Sequence, residues 1–105
     1  MTLDLVIKSR AQQDVTRHAA YLDDYAPHAG DRFFGELEHV FDRLTTFPAF
    51  GQPWPSSNPA HRDIRRALLS THRFSVFYWQ TKKAVEVVRL LHHAQDVPPL
   101  LDQIR

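Results

Sequence analysis

The hydrophobic pattern at the start of the chain predicts one strand that leads directly into a helix. The stretch LDLVIKS alternates as in a strand, with its leucines and isoleucine on one side. Ser9 follows as a helix N-cap, and Gln12 completes the Ser-x-x-Gln pattern of a capping box. We therefore expect the first helix to begin at the end of the first strand.

Two amphipathic helices are predicted next, over about residues 10–25 and about residues 28–46. Apolar residues at three- and four-residue spacing form the inner stripe of each helix: Ala11, Val15, Ala19 and Leu22 in the first, and Phe33, Leu37, Val40, Phe41 and Leu44 in the second. The first helix has acidic residues and Arg17 mostly on its outer face, Asp14 among them. Pro27 separates the two helices, so an antiparallel hairpin is expected.

The rest of the chain predicts a loop and three strands. FPAFGQPWPSSNP, residues 47–59, contains four prolines and a glycine, which predict an irregular segment held down by its aromatic residues. Strands are then predicted over 63–70, 73–80 and 84–92, with turns short enough for an antiparallel meander. VPPLLDQIR at the end is expected to be a tail or a short docked helix.

The order of elements is therefore β-α-α-β-β-β, which is an α+β fold. We expect the helical hairpin to pack on one face of a four-stranded antiparallel sheet, mixed only where the first strand joins it. A chain of 105 residues has the length of one domain, so residues 1–105 are interpreted as a single unit.

Composition excludes several classes of protein. With no cysteine, the chain has no disulfide, thiolate metal site or cysteine nucleophile. MTLDLVIKSR lacks the pattern of a signal peptide, and no apolar run approaches the length of a membrane span. Residues 1–60 carry five Lys/Arg and eight Asp/Glu, a net charge of −3, whereas residues 61–105 carry eight and four, a net of +4. The basic C-terminal part is the side expected to meet an acidic partner.

The adjacent histidines His92 and His93 end the last apolar strand. Neighbouring side chains of a strand point to opposite faces, so the pair cannot share one metal within a strand, and no other histidine lies at ligand spacing. We expect no metal and no cofactor. The simplest structural role is one histidine against the sheet, hydrogen-bonded to backbone, and the other exposed.

RNA cleavage is the enzymatic alternative that the residues allow. It needs a general base, a general acid and a cation on the developing phosphorane. The candidates on adjacent predicted strands are Arg65, Arg73, Tyr78, Arg89 and His92. Strand alternation divides Arg65 from Arg66, and a structural role for Tyr78 and one ion-paired arginine is at least as compatible with the pattern.

Four stretches in this order resemble the ParE/RelE superfamily of type II toxins, and the ParE branch most closely. They are AQQDVTRHAAYL in the first helix, AGDRFFGELEHVFDRLTTFPAFGQP through the second helix, IRRALLSTHRFSVFYW in two strands, and VEVVRLLHHAQD in the last strand. The resemblance covers nearly the whole chain and implies the same fold. It also implies a cytoplasmic bacterial toxin held inactive by a cognate ParD-like antitoxin, whose C-terminal segment wraps the toxin with apolar and acidic residues.

The resemblance leaves two activities and an inactive relative open. ParE-like toxins inhibit DNA gyrase by binding, whereas RelE-like toxins cleave mRNA on the ribosome with a cluster of lysines, arginines and a tyrosine. This chain has three lysines and no tyrosine after Tyr78, which favours gyrase inhibition without enzymatic activity. No binding to a membrane or to specific DNA sequences is expected. The expected partner-binding residues are Arg62, Arg65, Arg66, Arg73, Arg89, His92, His93 and Asp96.

Overall fold

The order of helices and strands confirms the predicted α+β class. A computed structural model describes residues 3–55, 63–69, 73–93, 95 and 100–101. The elements are β1 (Asp4–Ile7), α1 (Ser9–Tyr25), α2 (Ala29–Thr46), a 3-10 turn (Pro48–Phe50), β2 (Gln52–Trp54), β3 (Ile64–Leu69), β4 (Phe74–Gln80) and β5 (Ala84–His92). None of the helices in this described part is long and apolar enough to cross a membrane.

The sheet has the strand order β1-β5-β4-β3-β2. Strand β1 runs parallel to β5 and the other neighbours are antiparallel, so the sheet is mixed at its first strand, as expected. The described residues thus form five strands where four were predicted, because the proline-rich segment contributes β2. The prediction that its prolines forbid regular structure was wrong. Pro53 is tolerated because β2 is an edge strand, which needs hydrogen bonds on one side only.

Two apolar clusters cover the two faces of the sheet. The helical hairpin packs its stripe, including Phe33, Leu37 and Leu44, against alternate residues of β4 and β5 such as Val76 and Val87. The side chains between them point to the other face. There Ile64, Phe77, Trp79, Val88 and Leu91 form the second cluster, into which Leu101 packs with 1% of its surface exposed. Part of the C-terminal segment is therefore docked on the sheet.

The start of α1 differs from the predicted capping box. Lys8 occupies the N-cap position with extended backbone angles, and no side chain caps the helix there. The helix therefore begins one residue earlier than predicted, at Ser9, and the amide of Lys8 donates to the carbonyl of Val87 in β5. Gln12 instead donates from Nε2 to the carbonyl of Ile7, 2.8 Å away, and ties the helix to the end of β1.

The connection between the helices is closed by a side chain of α1. His28 adopts the left-handed conformation with φ of 61° and turns the chain into α2. The Oδ1 atom of Asp23 accepts a hydrogen bond from the amide of Gly30 at 2.9 Å. Asp23 thereby satisfies one of the free amides at the start of α2, and its negative charge favours the helix N-terminus.

Helix α1 also hydrogen-bonds the edge of β5 that β1 leaves open. Strand β1 pairs only with residues 84–87 of β5. Just beyond, Asp14 Oδ2 accepts from the amide of Leu90 at 3.0 Å, and Nε2 of His18 lies 3.2 Å from the carbonyl of Leu90. Two side chains one turn apart thus bind both backbone groups of Leu90.

An ion pair completes this contact, which we call the edge clasp (Asp14, His18, Arg89 and Leu90). Arg89 donates from Nε and Nη2 to the two carboxylate oxygens of Asp14, at 2.7 and 3.0 Å. Asp14 was predicted to lie outside and is 2% exposed, so that prediction was wrong. Burial is the main reason that the pKa of His18 lies below its ordinary value, and the neutral ring serves the carbonyl of Leu90 as an Nε2–H donor.

A second set of contacts fastens the segment before β2 to the sheet. The hydroxyl of Tyr78 donates to the carbonyl of Pro48 and accepts from the amide of Gly51, both at 2.7 Å. Arg65 adds a hydrogen bond from Nη1 to the carbonyl of Gly51 at 2.7 Å. A Cβ at position 51 would lie 2.6 Å from the Tyr78 hydroxyl and 2.8 Å from the Arg66 carbonyl, so this close approach requires glycine.

We expect Asp14→Asn to destabilise the fold by about 3–5 kcal/mol, because it leaves the Arg89 guanidinium buried without a counter-charge. Urea unfolding measures the loss, and Asp24→Asn, an exposed neighbour on the same helix, is the matched control. Adding Arg89→Met to Asp14→Asn should recover part of the stability, since it removes the stranded charge and a buried Nη1 that has no hydrogen-bond partner among the described residues. Equal stability of Asp14→Asn and the control would contradict the importance of the clasp.

We expect Tyr78→Phe to cost about 1–3 kcal/mol, because the buried amide of Gly51 and carbonyl of Pro48 both lose their partner. Tyr25→Phe removes a hydroxyl from an exposed tyrosine and should change the unfolding midpoint little. Thermal and urea unfolding of both variants give the comparison. A Tyr78→Phe protein as stable as wild type would show that water replaces the hydroxyl.

Candidate partner-binding surface

The predicted site residues on β3 and β4 divide between the two faces of the sheet. Arg65 pairs with Tyr78 across the strands, and both lie on the face covered by the helices. Arg66 lies on the other face, where its guanidinium stacks over Trp54 with 4.8 Å between Cζ and the ring centre. The separation of Arg65 from Arg66 follows strand alternation, as expected.

Three of the five residues considered for RNA cleavage make contacts that hold the fold together. Tyr78 is fully buried with its hydroxyl between two backbone groups, and burial raises its pKa. Arg65 donates to the carbonyl of Gly51, and Arg89 is paired with Asp14. Arg65 and Tyr78 also line a polar cleft of about 680 Å³ together with Pro48, Asp63, Gln80, Thr81 and Lys82.

The other two candidates lie at the opposite end of the strands. His92 pairs with Phe74 across the sheet and sets its ring edge-on to it, with centroids 5.0 Å apart. Phe74 is four residues from Tyr78 along β4, which places His92 roughly 13 Å from Tyr78 at ~3.3 Å per residue. Arg73 precedes β4 in a left-handed conformation with φ of 57° and is exposed. The structure therefore does not bring the five residues to one point.

His93 turns to the face opposite the helices and meets a serine there. Its Nε2 lies 3.0 Å from the hydroxyl of Ser75, and its amide donates to the carbonyl of Arg73 at 2.9 Å. Ser75 is 2% exposed, whereas His93 is exposed. Ser75 was not predicted to belong to a site. The feature that could have revealed it is a serine within the apolar run of β4, two residues before Phe77 and therefore on the same face as Phe77.

Positive side chains surround this pair. Residues Arg66 and Leu68 of β3 lie on the same face, because Leu68 pairs directly with Ser75. Partial burial, followed by the charges of Arg66, His92 and Arg73, lowers the pKa of His93 below its ordinary value, against a smaller opposing effect of the Phe74 backbone. Within the described residues, no carboxylate forms an ion pair with Arg66 or Arg73. We call the group Arg66, Leu68, Arg73, Ser75 and His93 the basic patch.

Two of the predicted partner-binding residues, Arg62 and Asp96, lie outside the described residues. In the part of the chain that the structure does describe, no three His, Asp or Glu side chains are grouped as a metal site requires. The arrangement that remains is a surface with positive charge, an exposed leucine and one exposed histidine.

Comparison with known proteins agrees with this architecture. A family model described as "ParE toxin of type II toxin-antitoxin system, parDE" matches residues 5–97. No curated protein matches the chain. A solved chain described as "Chromosomal ParDE TA system from P. aeruginosa" has the same fold, with a TM-score of 0.70 over 87% of this chain and 96% of that one, at 16% identity. The family match extends over most of the sequence, and the chain belongs to the ParE toxin family of parDE type II toxin–antitoxin systems.

Proposed function

We propose that the chain is a toxin that inhibits DNA gyrase by direct binding and is neutralised by a ParD-like antitoxin. The observation that carries this proposal is the structural use of Arg65, Tyr78 and Arg89 in a member of the ParE family. These residues were candidates for RNA cleavage, and all three serve the fold.

Transfer of a proton and stabilisation of a phosphorane require the acid, the base and the cation around one phosphate. Tyr78 cannot reach a substrate without giving up two buried hydrogen bonds, and Arg89 cannot do so without stranding Asp14. Movement of either group would cost several kcal/mol. These costs support a mechanism in which the toxin acts through its surface.

The basic patch supports the antitoxin part of the proposal. It joins two arginines to Leu68, 49% of whose surface is exposed. An acidic segment with an apolar anchor matches both features, because its carboxylates offset the positive potential and its apolar side chain covers the leucine. Most of the acidic residues lie on the two helices, so the negative charge of the molecule is separate from the positive charge of the basic patch.

The docked end of the chain changes how a C-terminal gyrase-binding element can be tested. Leu101 belongs to the second apolar cluster, so removal of residues after Val97 would open that cluster as well as remove a binding element. Loss of activity in such a truncation would not separate the two causes. Full-length protein is the better material.

We expect the purified full-length chain to stop ATP-dependent supercoiling by purified gyrase and to trap cleaved DNA. Preincubation with a neutralising ParD-like antitoxin should restore supercoiling, and topoisomerase I relaxation is the control for nonspecific effects on DNA. A folded chain that stops growth in cells but leaves gyrase unaffected would overturn the proposal. Cleavage of ribosome-bound mRNA would then identify the chain as a ribonuclease instead, and a chain harmless to cells would be an inactive relative.

We also expect Arg66→Ala to weaken the complex with the antitoxin more at low salt than at high salt, since a half-buried charge at the surface contributes through electrostatics that salt screens. Arg32→Ala, an exposed arginine on α2, should change the affinity little. Calorimetric titration at two ionic strengths gives both affinities. A loss that is independent of salt would assign Arg66 a packing role over Trp54 instead.

A further inference from the structure

The contact between Ser75 and His93 is unusual for its surroundings. Ser75 is a small polar residue among the buried aromatic residues and valine of β4, and its hydroxyl lies within hydrogen-bond distance of the imidazole of His93, which follows β5. The hydroxyl fixes the position of an exposed ring that would otherwise be free to rotate. The protonation state of an imidazole held in place among arginines changes when a negatively charged group binds beside it.

The groups that face His93 come from three strands or their ends. Arg66 comes from β3, Arg73 precedes β4, and His92 is the last residue of β5. Within the described residues, all the charged groups that act on His93 are cationic. Ser75 and the Phe74 backbone contribute only dipoles. Positive charge is therefore concentrated at one end of the sheet without a neutralising carboxylate in the described residues.

We propose that the basic patch is a proton-linked subsite for a carboxylate of the antitoxin, in which Arg66, Arg73 and His93 bind an acidic side chain while His93 takes up a proton. This inference rests on the antitoxin partner proposed above and adds its point of contact and its pH dependence. Ser75 is a positioning residue that holds the ring.

An acidic peptide fits this surface better than a nucleic acid. The patch has two arginines and one histidine beside a half-exposed leucine, whereas a nucleic-acid surface carries a longer stripe of cations along the phosphate backbone. The whole chain has a net charge of only +1. One carboxylate with an adjacent apolar side chain would match the charge and the leucine together.

The direction of the pH effect follows from the charges. In the free chain, partial burial and then the neighbouring cations disfavour protonated His93 and lower its pKa. A bound carboxylate offsets them and raises the pKa of His93, so the complex holds the proton to a higher pH than the free chain does. Affinity is therefore highest below the pKa of free His93 and decreases as the pH rises through the pKa of the complex.

A capped peptide of sequence Leu-Asp-Glu-Leu and its neutral counterpart Leu-Asn-Gln-Leu test the subsite on the full-length chain. We expect NMR titration of the His93 imidazole to show a pKa raised by about one unit with the acidic peptide, which corresponds to an affinity about tenfold lower at about pH 8 than at a pH below the pKa that the same titration gives for His93 in the free chain. The neutral peptide should leave the pKa unchanged. The acidic residues of the peptide stay ionised through this range.

Substitution of the histidine identifies the group that takes up the proton. His93→Gln should remove the pH dependence, so that the variant's affinities for the acidic peptide at low and at high pH agree within about twofold, because no imidazole is left there to take up the proton. His39→Gln on the exposed side of α2 is the matched control and should keep the full pH dependence. Both side chains are exposed, so neither substitution disturbs the core.

Three results would overturn the inference. They are an equal response to both peptides, an unchanged pKa of His93 with the acidic peptide, and a pKa raised by hexauridylate but not by the acidic peptide. The first would reduce the patch to an apolar contact at Leu68, and the last would make it a phosphate-binding surface. Gyrase inhibition is measured without peptide, so failure here leaves that proposal standing, and failure of gyrase inhibition leaves the peptide result standing.

Discussion

The fold depends on how the open edge of β5 is closed beyond the last residue that pairs with β1. A strand edge covered by a helix cannot hydrogen-bond to water, and each unpaired backbone group would cost about 1–3 kcal/mol. Asp14 and His18 project from one face of α1 and bind the amide and the carbonyl of Leu90. The carboxylate also neutralises Arg89, so one acidic side chain satisfies a backbone donor and a buried cation together.

This contact fixes more than one edge. It holds α1 at one position along β5, and α2 follows because the hairpin is short and Asp23 closes it onto Gly30. With β5 held, its end has a defined direction, so that His92 packs on Phe74 beneath the helices while His93 turns to Ser75 on the other face. The surface proposed to bind a partner is thus positioned by a buried ion pair on the same strand.

The elements that the sequence predicts well are those specified by local periodicity. The three later strands and both helices begin and end within about one residue of the predicted limits. The errors concern residues whose role is set by distant parts of the chain. Asp14 was assigned to the solvent face by its charge, but its partner Arg89 is 75 residues away. Pro53 was interpreted as part of a loop because proline alone does not reveal that a strand lies at the edge of a sheet.

The arginines of this chain illustrate why residue type does not establish a site. Arg65 and Arg66 are neighbours of the same type, yet one fastens the carbonyl of Gly51 and the other stacks over Trp54 on the opposite face. Arg89 forms an ion pair with Asp14, and Arg73 precedes the strand in a left-handed backbone conformation. A guanidinium already bound to buried groups cannot also bind a partner without a net loss. Of these four residues, Arg66 and Arg73 therefore retain the charge that a partner can use, and that reasoning supports the proposal that a partner binds around His93 rather than around Tyr78.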